Sequence, residues 1–190
     1  MMQDRAVEKA SWRLAKFDDP TGEVEAYTRS GHTVEDAMEK FPERFMGVSN
    51  FEPNLLLNAG ITVLLNLLTA ASGQTAFNNA NSRLGVGDSS TTEAASQTGL
   101  QAATNHYWQV ADATFPTVSG QVVTWQATFG GTVGNYAWNE FISDNDGAAG
   151  STSTAPTYSS TLVALNRKVS SQGTKTAGQT WVLTLQITFS

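Results

Sequence analysis

At 190 residues, with 11 Lys+Arg against 17 Asp+Glu and a net charge of −6, the chain is long enough to bury a core without covalent staples. It holds no cysteine, which rules out a disulfide framework and thiolate metal sites. The acidic balance and the lack of a basic patch disfavour a grip on a phosphate backbone, so no nucleic-acid partner is expected.

The charges are unevenly placed. Residues 1–50 hold 7 of the Lys+Arg and 10 of the Asp+Glu, leaving 11 charges for everything after them, so that later surface must be mostly Thr, Ser, Asn, Gln and Gly. This break predicts two parts: a charged N-terminal arm over 1–50, formed by a hairpin and a short helix, and a β-sandwich domain over 51–190. Met1–Ala10 is charged and lacks the apolar stretch of a secretory leader.

In chain order, Ser11–Phe17 alternates and places Trp12, Leu14 and Lys16 on one side. Asp18-Asp19-Pro20-Thr21-Gly22 then supplies turn chemistry, and Glu23–Arg29 follows as a second strand. An isolated two-stranded hairpin is marginal in water. The arm is therefore expected to lie against another subunit, through Trp12, Leu14, Phe17, Val24 and Tyr27. Thr33 with Asp36 has the spacing of a capping box, and Val34, Ala37, Met38 and Phe41 form one apolar stripe before Pro42 stops the helix.

From Pro53 to Ala70 the chain is apolar almost all round, which predicts a helix over 53–70 buried on every side. Gly60 in mid-helix points to close packing there. The run is too short and too interrupted by Asn and Thr to span a bilayer, so no membrane partner is expected.

Beyond residue 74 the pattern is β. Ser82–Gly87 reads as a short strand approached closely at its glycines. Val122–Phe129 alternates with Val123, Trp125, Ala127 and Phe129 on one face. Tyr136–Ile142 and Leu162–Val169 are further strands. Trp181–Phe189 puts Trp181, Leu183, Leu185, Ile187 and Phe189 on one side against Val182, Thr184, Gln186 and Thr188 on the other. Ser143–Ser160 reads as a solvent loop. The fold class is mainly β: an antiparallel β-sandwich or partly open barrel with one buried hydrophobic helix and the hairpin arm.

Catalytic patterns are sparse. The two histidines, His32 and His106, have no nucleophile elbow to serve. Asp144-Asn145-Asp146-Gly147 starts like a calcium loop, but its Gly is fourth and its twelfth position is Ala155, so it reads as a turn. Gly85-Val86-Gly87 lacks the residues of a phosphate-binding loop. Neither a metal nor a cofactor is expected. Among the late acids, Glu140 beside Trp138 has the setting for burial, and it reads as a strand residue paired with Arg83 or Arg167. Trp125 and Trp181 read as core. Trp108 is expected to meet a partner, and with Glu140 it forms the less favoured sugar-binding reading.

Several pieces in order resemble small virion structural proteins of tailed bacteriophages, described as head decoration, minor capsid or tail-associated proteins. They are Asn54–Ile61 opening the hydrophobic helix, Leu84-Gly85-Val86-Gly87-Asp88 with a Thr/Ala-rich run to Leu100, Trp138-Asn139-Glu140, Asn166-Arg167, Gly173-Thr174-Lys175 and Trp181–Leu185. The resemblance covers roughly residues 54–190. It implies a virion location after assembly in the host cytoplasm, no catalysis, and many copies in contact with other virion proteins, as a homo-oligomer. The expected role is a capsid decoration (cement) protein on the head shell, with a tail or baseplate component as the alternative.

Overall fold

Two five-stranded antiparallel sheets face each other across an aromatic core in the computed structural model, which describes residues 8–146 and 158–189. The first sheet runs in the order β2 (Phe45–Phe51), β1 (Glu8–Asp18), β10 (Gln179–Phe189), β7 (Val122–Phe129) and β6 (Thr117–Ser119). The second runs β3 (Leu55–Leu56), β9 (Ala164–Val169), β8 (Glu140–Asp144), β4 (Arg83–Gly87) and β5 (His106–Val110). Two helices, α1 (Glu23–Arg29) and α2 (Val34–Lys40), cover part of the first sheet's outer face, and α3 (Asn58–Leu68) packs beside β9. The molecule is the expected β-sandwich, with two separate sheets and no closed barrel.

The period-2 patterns translate directly into the core. Trp181, Leu183, Leu185 and Ile187 of β10 are buried with Trp125, Ala127 and Phe129 of β7. From the facing sheet come Leu84, Val86, Phe141 and Leu165. Trp138 stands edge-on to both Phe129 and Trp181, each with ring centroids 4.8 Å apart. Each such pair adds about 0.5–1.5 kcal/mol beyond the area it buries.

The N-terminal segment departs from the predicted arm. Its first strand exists, but β1 lies inside the sheet, pairing with β10 from Glu8↔Phe189 to Asp18↔Gln179 and with β2 on its other side. The predicted second strand is α1. The cause is Asp19: its buried carboxylate accepts from the backbone N–H groups of Val24 (3.2 Å) and Glu25 (3.0 Å), which starts a helix where a hairpin partner was expected. The capping box at Thr33 and Asp36 forms as read. Because β1 and β2 are integral to the first sheet, the charge break near residue 50 is not a structural boundary.

The hydrophobic helix also differs. Leu55 and Leu56 pair with Arg167 and Asn166 of β9 as β3, and α3 starts only at Asn58. It is not buried on every side: Gly60 and Val63 face inward, whereas Ile61, Leu65 and Leu68 are exposed, Leu68 to 82 %. Gly60 is indeed closely packed, since a Cβ there would lie 2.6 Å from the Leu165 backbone. Among the described residues no helix is long and apolar enough to cross a membrane. The predicted solvent loop Ser143–Ser160 falls, over 147–157, outside the described residues; Ser143 and Asp144 belong to β8.

Candidate functional site

The six residues expected to meet a partner are mostly interior. Trp12 and Leu14 point into the core, and Phe17 and Val24 form a second cluster under α1 and α2, all fully buried. Even-numbered β1 side chains face the opposite sheet and odd-numbered ones face the helices, so this one strand fills both apolar layers. Trp108 is also buried, among Leu57, Ile142, Ala164, Leu100 and Tyr158. Only Tyr27 keeps part of its side chain at the surface, stacked on His32 at 3.7 Å with the Lys40 ammonium 4.1 Å from its ring.

Glu140 is paired as the sequence reading allowed, with Arg167. Both are fully buried. Arg167 Nε and Nη2 donate to Glu140 Oε2 at 2.9 and 2.6 Å, while Oε1 accepts from Ala102 N at 2.7 Å and Oε2 also from Gln101 N at 2.9 Å. Arg167 Nη1 reaches Thr91 O (2.9 Å) and Gln97 Oε1 (3.0 Å). Gly87 makes the space, because a Cβ there would come within 2.5 Å of Glu140 Oε1. The pair thus fastens the irregular segment between β4 and β5 to the outer face of the second sheet. A carboxylate gripped by a guanidinium and two amides acts as a structural strut.

Arg83 and Asp144 form a second buried bridge. Arg83 Nε and Nη2 donate to the two Asp144 oxygens at 2.8 and 2.9 Å, and Nη2 reaches Asp146 at 3.0 Å. Tyr158 donates its hydroxyl to Asp144 at 2.7 Å. Burial pushes the Asp144 carboxyl above its ordinary range, against the pull of the Arg83 and Tyr158 hydrogen bonds. The two acids of the calcium-like turn are therefore held by an arginine. Among the described residues no group of three or more His, Asp or Glu is arranged to bind a metal. His106 is buried with Nδ1 2.9 Å from Ala102 O, and His32 lies exposed beside Ser30.

A concave feature with convergent polar groups lies elsewhere, on the outer face of the first sheet. Even-numbered residues of β10 and β7 and odd-numbered residues of β1 share this face. At one end α1 and α2 cover it through Ala15, Phe17 and Val182. At the other end it is open, forming a groove of about 300 Å³ between the sheet and the start of α2. Its floor includes Ser11, Thr184, Gln186 and Thr124, and an Arg13–Glu35 ion pair stands at its rim. The alternation in the sequence placed these Thr and Gln residues on one face, but it carried no sign that two strands distant in the chain would set them side by side.

Compared with protein-family models, with curated proteins and with solved structures, the chain matches none of them.

Proposed function

We propose that this chain is a non-enzymatic structural protein of a tailed-bacteriophage virion, seated on the head shell as a decoration protein. The observation that carries the reading is the position of the exposed apolar groups. Met46 and Val48 project from β2 at one edge of the first sheet, Val118 is 73 % exposed on β6 at the other, and Leu65 and Leu68 stand out from α3. β2 contains no charged residue. Edge strands of proteins that stay alone are usually guarded by charge, proline or brevity, since their unpaired N–H and C=O groups invite another chain. Seven residues of uncharged open edge are suited to a neighbouring subunit.

Two further features support the same reading. Glu140 and Asp144 are consumed in structural bridges, and Trp108 lies in the interior, so the sugar-binding surface built on Trp108 and Glu140 has no outlet to solvent. The choice of particle rests on the sequence resemblance alone.

The test is labelling of intact particles with an antibody to this chain, combined with incorporation of a Met46→Lys/Val48→Lys variant. Label over the head shell, and a variant that folds but is left out of particles, are the expected results. Label at the tail replaces the decoration role with that of a tail component. Full incorporation of the lysine variant removes β2 from the interface.

A further inference from the structure

Thr184 sits midway along β10 with 9 % of its surface exposed, and its hydroxyl has no hydrogen-bond partner among the described residues. Buried hydroxyls without partners are rare and call for a physical reason. The side chain lies on the outer face of the sheet, in the floor of the groove described above. Its register neighbours are turned to other partners: Gln126 Oε1 accepts from Val34 N and its Nε2 donates to His32 O and Asp112, and Arg13 is paired with Glu35.

The surroundings define what would satisfy that hydroxyl. Gln186 Nε2 donates to Thr124 Oγ1 at 3.3 Å, and the Gln186 carbonyl oxygen, the Thr124 hydroxyl proton and the Ser11 hydroxyl then offer a mix of donors and acceptors, as sugar hydroxyls do. An anion is disfavoured, because the guanidinium at the rim is already neutralised and the chain carries a net charge of −6. An apolar occupant would seal Thr184 Oγ1 away from any partner. The volume lies at the lower end of the roughly 300–1,000 Å³ of ligand clefts, too small for a folded partner.

We infer that this groove binds a neutral polyhydroxylated ligand of saccharide size, with the Thr184 hydroxyl as its central contact. The groove borders Asn50 of β2 and Thr117 of β6 but none of the exposed apolar side chains invoked above, so either reading can fail without the other.

Saturation-transfer NMR on the full chain tests it, using methyl glycosides of glucose, galactose, mannose and N-acetylglucosamine at millimolar concentration. Transfer to at least one sugar is expected, with affinity lowered roughly three- to tenfold by Thr184→Val, the loss of one hydrogen bond. Thr62→Val on α3 should leave binding unchanged, and inorganic phosphate should not compete. Thermal melting of Thr184→Val, which removes an unpartnered group at constant shape, verifies its fold; if it does not fold, Gln186→Ala replaces it under the same criterion. No transfer from any of the four sugars, undiminished affinity in the groove variant, or displacement by phosphate overturns the inference.

Discussion

Glu140 and Arg167 form an ion pair in a place that water does not reach. Removing one member of such a pair leaves the other buried and uncompensated, which typically destabilises by about 3–5 kcal/mol. Glu140→Gln is therefore expected to lower unfolding free energy by that amount in urea titration, and Glu140→Gln/Arg167→Met to recover part of the loss; equal stability of Glu140→Gln and the parent would refute the strut role. The sequence narrowed the partner to two arginines because so few charges follow residue 52. It did not decide between them, since the decision is made by register. Arg83 lies directly across from Asp144, whereas Arg167 lies across from Ile142, two residue pairs from Glu140 and on the same face. The isolated hydroxyl of Thr184 had no comparable signal: a threonine on a polar strand face looks the same in sequence whether water or other side chains surround it.

Between elements, Asp112 is the joint by which the two N-terminal helices are fixed to the first sheet. Its carboxylate accepts from Thr128 N (3.0 Å), Thr128 Oγ1 (2.7 Å) and Gln126 Nε2 (3.1 Å). Thr128 Oγ1 lies 2.8 Å from Thr28 Oγ1 of α1, and Gln126 Oε1 accepts from Val34 N of α2. Burial pushes this carboxyl up to about 6 from 3.8, against the hydrogen bonds from Thr128 and Gln126. A carboxyl raised in the folded state contributes stability that is complete below its unfolded value and is lost as pH rises through the folded one. The parent should thus lose up to about 3 kcal/mol relative to Asp112→Asn between about pH 4 and pH 7. Urea titrations across that range check it, and a pH-independent difference between the two proteins would refute it. Elements with long alternation, β7 and β10, were legible from the sequence. Glu23–Arg29 was not, because seven residues fit either period and the deciding contact, Asp19 with the Val24 and Glu25 amides, is a turn-like motif read as a hairpin bend. α3 misled differently: an all-apolar stretch does not say which of its faces the fold will use.

At the scale of the molecule, the first sheet joins residues from both ends of the described chain. A detachable arm would permit its own deletion; an inner strand does not. Removing residues 1–18 takes out Trp12, Leu14 and Phe17, strips β2 of the only strand it pairs with among the described residues and bares the flank of β10. Loss of any cooperative melting transition is expected, and a truncated protein that melts like the parent would contradict the sheet order. Composition misplaced the boundary because charge density reports where helices and an edge strand meet solvent, and it does not report which strands pair.

The same sheet order bears on how the protein comes off the ribosome. Of the described strands β1 emerges first, yet its longest ladder is with β10, the last of them to emerge. At a synthesis rate of about 5–20 residues per second, the intervening chain takes on the order of ten to thirty seconds to appear. For that interval Trp12 and Leu14 on one side, and Phe17 on the other, have no ladder from β10 to hold them in a sheet, so the nascent chain carries apolar side chains that only the finished sheet buries.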